Sequence, residues 1–430
     1  MNLSQRDQAV IWHPFTQAQT AAAPIAIVRA EGVWLYAEDG TRYLDGTSSW
    51  WVNAHGHAHP YIAEQVHQQA STLEHIIFAG FTHEPAISLA EKLIRLVPGQ
   101  QSRIFYSDNG STSVEVALKM ALQYHFNKGE KRTKIISFSN AYHGDTFGAM
   151  SVGARNAFNA PFEPLLFEVV SIHPPEKGHE ESCIAQMKQL LEDEHIAAFI
   201  FEPLVQGANG MRMHDAETLS HLIDLCRSKG VISIADEVFT GFYRTGKRFA
   251  CNHLEVQPDI MCLSKTLTGG TLPLGVTAAP EFIYAAFLSN DKYKTFFHGH
   301  SFTANPIACR AALASLELFD KPQCQENIQQ IVASHAQFAA TLEGHAAIEE
   351  MRLLGTILAI ELKTQEERGY MNSISEHLTR FFLDRNIYLR PLGNVMYCTP
   401  PYVINAEELR SLYNAIKECL DELLELAKSH

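Results

Sequence analysis

The 430-residue sequence lacks the marks of several classes of protein. Its 34 Lys and Arg are outnumbered by 48 Asp and Glu, and a net charge of −14 argues against binding nucleic acid or an anionic membrane. No apolar run is long enough to span a membrane, and the first residues do not resemble a signal peptide. The eight cysteines form no CxxC pair, so we expect reduced, mostly buried thiols in a cytoplasmic protein.

One missing motif and two incomplete ones argue against a nicotinamide enzyme, an NTPase and a metal site. No GxGxxG follows a predicted strand, which argues against a nicotinamide enzyme. Residues 241–247 (GFYRTGK) fit GxxxxGK, but Arg248 stands where a Walker A loop needs Ser or Thr. Residues 55–59 (HGHAH) have no Cys or acidic partner at ligand spacing, so we expect a loop and no metal site.

The middle of the chain alternates short apolar runs with helical patterns. Strands are predicted at 103–107, 134–139, 197–205, 231–239 and 258–264. Helices are predicted at 112–126, capped by Ser111 or Thr112, and at 216–229. Apolar strands separated by helices indicate an α/β fold with a parallel sheet covered on both faces.

The two ends of the chain have a different pattern. Residues 25–45 alternate with period two around an Asp39–Gly40 turn, which indicates a hairpin. From residue 306 a long helical pattern is followed by predicted strands at 357–362, 387–390 and 395–399. We therefore expect a large domain at 56–305 and a smaller α+β lobe built from 1–55 and 306–430.

Several residues that follow the predicted strands could bind a ligand, since ligands of open α/β sheets bind at the carboxyl ends of strands. Residues 108–112 (DNGST) suit a phosphate at a helix start, although, taken alone, an ordinary capped turn is the favoured explanation. Tyr142 and His143 could stack on a planar ring, or belong to a loop with a buried aromatic.

Asp236 and Lys265 are the sharper signals. A carboxylate in an apolar strand is costly unless it is paired, either in a salt bridge or against a protonated heterocyclic nitrogen. A partly desolvated lysine at the end of a strand becomes a usable amine nucleophile, unless its head reaches solvent. A phosphate turn, a stacking aromatic, a carboxylate and a lysine together are the parts that hold pyridoxal 5′-phosphate.

The same residues resemble the class III aminotransferases of fold type I, nearly from end to end. Residues 235–238 (ADEV) with Lys265 are typical of the class, and 12–16 (WHPFT) with 48–51 (SSWW) resemble its diaminononanoate-forming branch. Further matching blocks are 109–111 with Val114 and Glu115, 141–151, 202–207, 241–246 and 264–270. The resemblance implies a large, mostly parallel sheet flanked by helices, with a smaller lobe from both termini.

The resemblance also implies a role for each matching residue. Lys265 would form the Schiff base with pyridoxal phosphate, Asp236 would pair with the ring nitrogen, and Tyr142 would stack on the ring. The remaining cofactor contacts would come from Gly110, Ser111, His143, Glu202 and, from the other subunit of a homodimer, Ser301. The substrate pocket would be lined by Phe15, Trp50, Asp145, Arg244, Gly299, Arg390 and Tyr397, with Arg390 pairing with a substrate carboxylate.

The implied reaction is the ping-pong transamination of 8-amino-7-oxononanoate to 7,8-diaminononanoate in biotin biosynthesis, with S-adenosylmethionine as donor. Phe15 stands where many members that use this donor carry tyrosine, and His300–Ser301 replaces a Pro-Thr pair, so lysine remains an alternative donor. Another class III transaminase of ω-amino acids or diamines is a second alternative. A degenerate binding protein is a third, against which the intact Lys265 and Asp236 argue.

Overall fold

The structure is a computed structural model that describes residues 1–366, 369 and 371–428. Its strands are β1 (Ile27–Glu31), β2 (Trp34–Ala37), β3 (Arg42–Asp45), β4 (Gln101–Ser107), β5 (Lys134–Phe138), β6 (Val170–Ile172), β7 (Ile196–Phe201), β8 (Val205–Gln206), β9 (Arg212–Met213), β10 (Ile232–Asp236), β11 (Ile260–Leu263), β12 (Gly275–Pro280), β13 (Ile348–Leu354), β14 (Ile357–Leu362), β15 (Ile387–Tyr388) and β16 (Val395–Cys398). Its helices are α1 (Leu3–Val10), α2 (Ser48–Trp51), α3 (Pro60–Thr72), α4 (Glu84–Leu96), α5 (Gly110–Asn127), α6 (Phe147–Ser151), α7 (Glu180–Leu190), α8 (Ala216–Ser228), α9 (Glu281–Ala285), α10 (Pro306–Phe319), α11 (Pro322–Thr341), α12 (Ile374–Asp384) and α13 (Ala406–Lys428).

A seven-stranded sheet, counted over the described residues, forms the centre of the molecule. Its order is β4-β12-β11-β10-β7-β5-β6, and only β12 runs antiparallel to its neighbours. Every residue of β7, β10, β11 and β12 is buried, because helices cover the sheet on both faces. The predicted α/β fold with a mostly parallel sheet is confirmed.

Two of the predicted strands end earlier than the apolar pattern indicated. The predicted strand at 197–205 is β7, which stops at Phe201. Pro203 has no N–H for the ladder and Leu204 has φ of 65°, so the chain turns there and Val205 joins the small β8–β9 sheet. The predicted strand at 231–239 stops at Asp236, which places that carboxylate at the carboxyl edge of the sheet.

The start of α5 differs from the predicted cap. Asn109, and neither Ser111 nor Thr112, is the N-cap, and its side chain accepts a hydrogen bond from the Thr112 N–H at 2.9 Å. Ser111 therefore belongs to the first turn of the helix, and its hydroxyl is hydrogen-bonded to Thr146 instead of capping the helix.

Both ends of the chain meet outside the central sheet. The predicted hairpin is β1–β3, and β15 adds to β3 in parallel to form a four-stranded sheet. The three-stranded sheet β13-β14-β16 is antiparallel throughout. This arrangement brings residues 27–45 next to the C-terminal segment, while the domain boundaries at 55/56 and 305/306 stay a prediction.

The cysteine side chains agree with the expectation of unpaired, mostly buried thiols. All eight cysteines are free, and seven of them are buried. Among the described residues, no helix combines the length and the apolar composition needed to cross a membrane.

Candidate functional site

The site lies at the carboxyl edge of the central sheet, where Lys265 follows β11. Lys265 begins a short 3₁₀ turn with φ of 45°, a left-handed conformation that costs a non-glycine residue on the order of 1 kcal/mol or more. Its Nζ lies 4.4 Å from the ring centroid of Trp51 and 5.9 Å from that of Phe239. Burial lowers the pKa of Lys265 to about 8, although the carboxylates of Asp236 and Glu202 act in the opposite direction.

Asp236 ends the neighbouring strand β10 and is held from two sides. Its Oδ2 accepts a hydrogen bond from Nδ1 of His143 at 2.7 Å, and its Oδ1 accepts one from the Val238 N–H at 3.0 Å. Both side chains are buried, and Nε2 of His143 has no hydrogen-bond partner among the described residues. The carboxylate is thereby fixed in orientation before any ligand binds.

Tyr142 lies in the loop that follows β5, and Glu202 comes directly after β7. The Tyr142 N–H donates to Oε1 of Glu202 at 3.0 Å, and the Gly207 N–H donates to Oε2 at the same distance. Burial is the main reason why the pKa of Glu202 is raised to about 7. Tyr142 is 38% exposed and Glu202 is buried, so Tyr142 is the residue of this pair that a ligand can reach.

The N-terminus of α5 abuts the same edge through Gly110. A Cβ at this position would lie 2.6 Å from Cγ1 of Val238 and 3.5 Å from Cβ of Ser264, so glycine allows the helix to approach β10 and β11. The first N–H groups of a helix have no intrahelical acceptor, and those of Gly110 and Ser111 begin α5. An anion is favoured at such an end.

The hydroxyl of Ser111 is positioned by a chain of hydrogen bonds. Thr146 donates from its N–H to Ser111 Oγ at 3.1 Å and from its Oγ1 to Glu115 at 2.5 Å, and the two hydroxyls are 2.7 Å apart. Gly144, with φ of 125°, makes room for Ser111, since a Cβ there would meet Ser111 Oγ. Glu115 and Gly144 thus fix the hydroxyl beside the helix terminus.

These residues fit pyridoxal phosphate. The close approach at Gly110 brings the N–H groups that begin α5 to this edge, with the Ser111 hydroxyl beside them, and these N–H groups suit a phosphate. The fixed Asp236 carboxylate can accept a hydrogen bond from a protonated ring nitrogen. Lys265 supplies an amine with a lowered pKa, and the exposed Tyr142 ring supplies a stacking surface.

Arg244 lies fully buried between the central sheet and the C-terminal segment. Its Nη1 donates to the carbonyls of Thr399 and Pro400, both at 3.2 Å, and its guanidinium lies 5.0 Å from the centroid of Tyr402. Nε and Nη2 have no partner among the described residues. Buried donors of a cation without acceptors are costly, so the arrangement suits an anionic group brought by a ligand.

Aromatic side chains form a wall beside the site. The rings of Phe15 and Trp50 meet edge to face with centroids 5.5 Å apart, and the guanidinium of Arg390 lies 4.2 Å from the Trp50 centroid. Trp50 is 37% exposed and Phe15 is 47% exposed, so both can contact a substrate. The structure therefore brings these three predicted substrate residues together.

Tyr397 is placed differently from the wall. It is only 2% exposed, and its hydroxyl accepts a hydrogen bond from Nε1 of Trp51 at 2.9 Å. Burial raises the pKa of the Tyr397 hydroxyl. Its direct contact in this structure is with Trp51.

Asp145, Gly299 and Ser301 are exposed. Gly299 and Ser301 lie on the segment between α9 and α10, next to His298, whose Nδ1 is 3.1 Å from Nζ of Lys119 on α5. The Asp145 carboxylate follows Tyr142 and contributes, after burial, to the raised pKa of that hydroxyl. Within one chain the Ser301 hydroxyl is not assembled into the group around Lys265.

The residues of the HGHAH segment have structural partners. His55 pairs with Ser315, His57 pairs with Asp45, and His59 caps α3. Over residues 1–366, 369 and 371–428, no three His, Cys, Asp or Glu side chains gather in a way that could hold a metal ion.

Sequence reasoning missed two buried residues, Trp51 and Asp45, that help to position the residues of the site. Trp51 is part of the SSWW block, to which no role was assigned at this position. The structure shows it buried beside the Lys265 amine, with its carbonyl accepting from Thr266 Oγ1 at 3.1 Å. Asp45 was not singled out at all. Its signal is a carboxylate followed by a Gly-Thr-Ser-Ser turn, a composition in which Asp side chains commonly bind backbone N–H groups.

Comparisons with known proteins agree with this geometry. The family model for "Aminotransferase class-III" matches residues 15–420. An adenosylmethionine-8-amino-7-oxononanoate aminotransferase of Synechococcus elongatus is 48% identical, covering 96% of this chain and 99% of the relative.

Solved structures give the same result. The crystal structure of adenosylmethionine-8-amino-7-oxononanoate aminotransferase from Methanocaldococcus jannaschii has a TM-score of 0.91 and 38% identity, over 97% of this chain and 98% of that one. An amine transaminase from an uncultivated Pseudomonas species, solved in its PLP-bound form, has a TM-score of 0.89 and 29% identity, over 96% and 98% of the two chains. By its sequence, its fold and the residues at the edge of its sheet, the chain belongs to the class III aminotransferases.

Proposed function

We propose that this protein transfers an amino group from S-adenosylmethionine to 8-amino-7-oxononanoate, giving 7,8-diaminononanoate in biotin biosynthesis. The relatives that carry this activity in their names match nearly the whole chain, at up to 48% identity among those compared. The structural observation that carries the proposal is that two consecutive tryptophans each contact one cation. Trp51 lies under the Lys265 amine and Trp50 lies against the Arg390 guanidinium.

This arrangement suits the acceptor, which has a ketone near one end and a carboxylate at the other. Arg390 would pair with the carboxylate, a bidentate interaction for which guanidinium is suited. Trp50 and Phe15 would contact the apolar carbons between the two ends, and would exclude water from them. The ketone would then lie towards Lys265.

The cofactor residues have separate tasks in this proposal. Pyridoxal phosphate, when bound, supplies the electron sink and carries the amino group between the two substrates. Gly110 and Ser111 would hold its phosphate, Tyr142 would stack on its ring, and Asp236, oriented by His143, would keep the ring nitrogen protonated. Nζ of Lys265 would attach the cofactor and move the substrate Cα proton, since a pKa of about 8 leaves more neutral amine near neutral pH than an ordinary lysine has.

Arg244 would bind the carboxylate of the amino donor. Its unpartnered Nε and Nη2 donors are buried, and its positive charge contributes to the lowered pKa of Lys265. A carboxylate would pair with these two donors.

We also propose that two copies of the chain form a homodimer with shared active sites. Ser301 and the neighbouring Phe302 are exposed in the single chain, and the Phe302 side chain is 62% exposed. A second copy that covered this segment would bury the phenyl ring and could bring Ser301 to a cofactor phosphate.

The test is a panel of substrates with the purified holoenzyme. Donors S-adenosylmethionine and lysine are each paired with 8-amino-7-oxononanoate, and 4-aminobutyrate and ornithine are assayed as alternative donors with a common keto acid. We expect product with the oxononanoate and S-adenosylmethionine, and none from Lys265→Ala. Turnover with lysine alone would change the donor, and turnover only with 4-aminobutyrate or ornithine would refute the proposed acceptor.

A further inference from the structure

The turn that carries the two tryptophans has an unusual backbone. Ser48, Ser49 and Trp51 have φ of 51°, 58° and 68°, and none of them is glycine. Each such residue costs on the order of 1–3 kcal/mol, and persists only where surrounding contacts determine the conformation. The contacts that hold this turn therefore decide where the tryptophan rings lie.

Several of these contacts come from one carboxylate. Asp45, at the end of β3, is completely buried. Its Oδ1 accepts from the Thr47 N–H at 3.0 Å, and its Oδ2 accepts from the Ser49 N–H at 2.6 Å and from Ser49 Oγ at 3.2 Å. Nε2 of His57, 2.8 Å from Oδ2, adds a further donor. The two oxygens of a carboxylate offer about four lone-pair sites, so Asp45 can accept these hydrogen bonds together.

The opposite side of the turn is bound to the segment after β16. Ser48 Oγ donates to the Thr399 carbonyl at 2.7 Å, and the Thr399 N–H donates to the Gly46 carbonyl at 2.9 Å. The Thr399 carbonyl also accepts from Nη1 of Arg244 at 3.2 Å. The turn is thus clamped between Asp45 and the strand segment that also supports Arg244.

The turn ends at Trp50 and Trp51, and each of these two side chains contacts a cation of the site. Trp50 contacts Arg390, and Trp51 contacts Lys265 and donates to the Tyr397 hydroxyl. Of these two rings, Trp50 is the exposed one. A small rotation of the turn would therefore change the surface offered to the acceptor more directly than the cofactor contacts at Gly110 and Asp236.

We propose that Asp45, assisted by His57, is a positioning residue that sets the orientation of Trp50 and thereby the affinity for the acceptor. This inference rests on the proposed function for the identity of the acceptor, and adds to it a group that touches neither substrate nor cofactor. Replacing the carboxylate by an amide puts an N–H₂ group where one of the two oxygens accepted hydrogen bonds. Either orientation of the amide leaves at least one buried donor of the turn unpaired.

The test compares Asp45→Asn with Asp39→Asn in the holoenzyme. Asp39 is a matched control, because its carboxylate also accepts from the N–H two residues on, Thr41, at 2.9 Å, but it is exposed in the hairpin turn. We expect Asp45→Asn to raise the KM for 8-amino-7-oxononanoate about tenfold or more, as for the loss of a hydrogen bond to a charged group. The KM for the donor should change much less, and Asp39→Asn should match the wild type.

A double-mutant cycle with Trp50→Leu separates positioning from general stability. If Asp45 acts through Trp50, Asp45→Asn adds little to the acceptor KM once Trp50 is gone. His57→Gln, which keeps the carboxylate, should shift the KM in the same direction by a smaller factor. A fall in melting temperature with an unchanged acceptor KM, or full additivity in the cycle, would overturn the inference.

A measurement that does not depend on activity distinguishes failure of the positioning role from failure of the proposed function. The near-UV circular dichroism of the cofactor-free protein reports how rigidly the indole rings are held. We expect Asp45→Asn and Trp50→Leu to lose the same indole bands, while Asp39→Asn retains them. If the wild-type enzyme did not turn over 8-amino-7-oxononanoate, the proposed acceptor would be refuted. Unchanged indole bands in Asp45→Asn would instead refute the positioning role.

Discussion

Replacing Arg390 by methionine tests the part of the account that specifies the acceptor. The substitution removes the guanidinium but leaves an unbranched apolar side chain against Trp50, whose centroid is 4.2 Å from the guanidinium carbon. The fold should be retained, because Arg390 is only partly buried and follows the short strand β15 at the edge of its sheet.

The size of the effect follows from the interaction that is lost. A hydrogen-bonded pair of charges contributes about 1.5–3 kcal/mol, and each 1.4 kcal/mol is a factor of about ten. The loss in kcat/KM for the acceptor should therefore be about 10- to 150-fold. Most of it should appear in KM, since Arg390 is expected to bind the end of the substrate that does not react.

The assay compares two acceptors and two variants. An analogue of 8-amino-7-oxononanoate with a methyl group in place of the carboxylate should be a poor substrate for the wild type and an equally poor one for Arg390→Met. Arg385→Met is a suitable control, since Arg385 also lies over an aromatic ring, Phe381, but is paired with Glu418 at the surface. If Arg390→Met kept its preference for the carboxylate-bearing acceptor, the proposed role of Arg390 would be wrong.

Two further predictions concern the cofactor residues. Gly110→Ala should weaken pyridoxal phosphate binding about tenfold, as measured by fluorescence titration. The added Cβ would lie 2.6 Å from Cγ1 of Val238, and such overpacking costs about 1–3 kcal/mol. Val238→Ala in the same chain should restore most of the affinity, and absence of rescue would exclude the steric cause. In the cofactor-free protein, Lys265→Met should be more stable to urea at pH 7 by up to ~3 kcal/mol, because a folded pKa of about 8 against 10.5 makes the protonated amine costly. Between those two pH values the unfolded chain binds more protons, so wild-type stability should rise with pH relative to the variant, and parallel curves would contradict the lowered pKa.

The general position of the site was predictable from the sequence, because it depends on local pattern. The apolar strand before Lys265, in an alternating α/β pattern, is sufficient to place that side chain at the carboxyl edge of a parallel sheet. The position of Asp236 at the same edge needed the structure, because the apolar run continues to residue 239 and β10 ends at Asp236. The assignment of specific roles needed the additional resemblance of the motifs to a family.

The supporting contacts were not predictable, because they depend on residues far apart in the chain. The buried guanidinium of Arg244 donates to the carbonyls of Thr399 and Pro400, which are 155 and 156 residues away in the chain. Trp51 is placed beside Lys265 by left-handed backbone conformations at Ser48, Ser49 and Trp51, which residues other than glycine rarely adopt and which no local pattern indicates. The early end of β7 likewise depends on the turn at Leu204, which the apolar run conceals.

The central claim is that the Lys265 amine is the point at which the cofactor is attached. Treating the holoenzyme with borohydride and mapping its peptides by mass spectrometry measures this directly. We expect the mass of a reduced pyridoxyl phosphate group on Lys265 alone, and none in Lys265→Ala. A group found on another lysine of the wild-type protein would contradict the account.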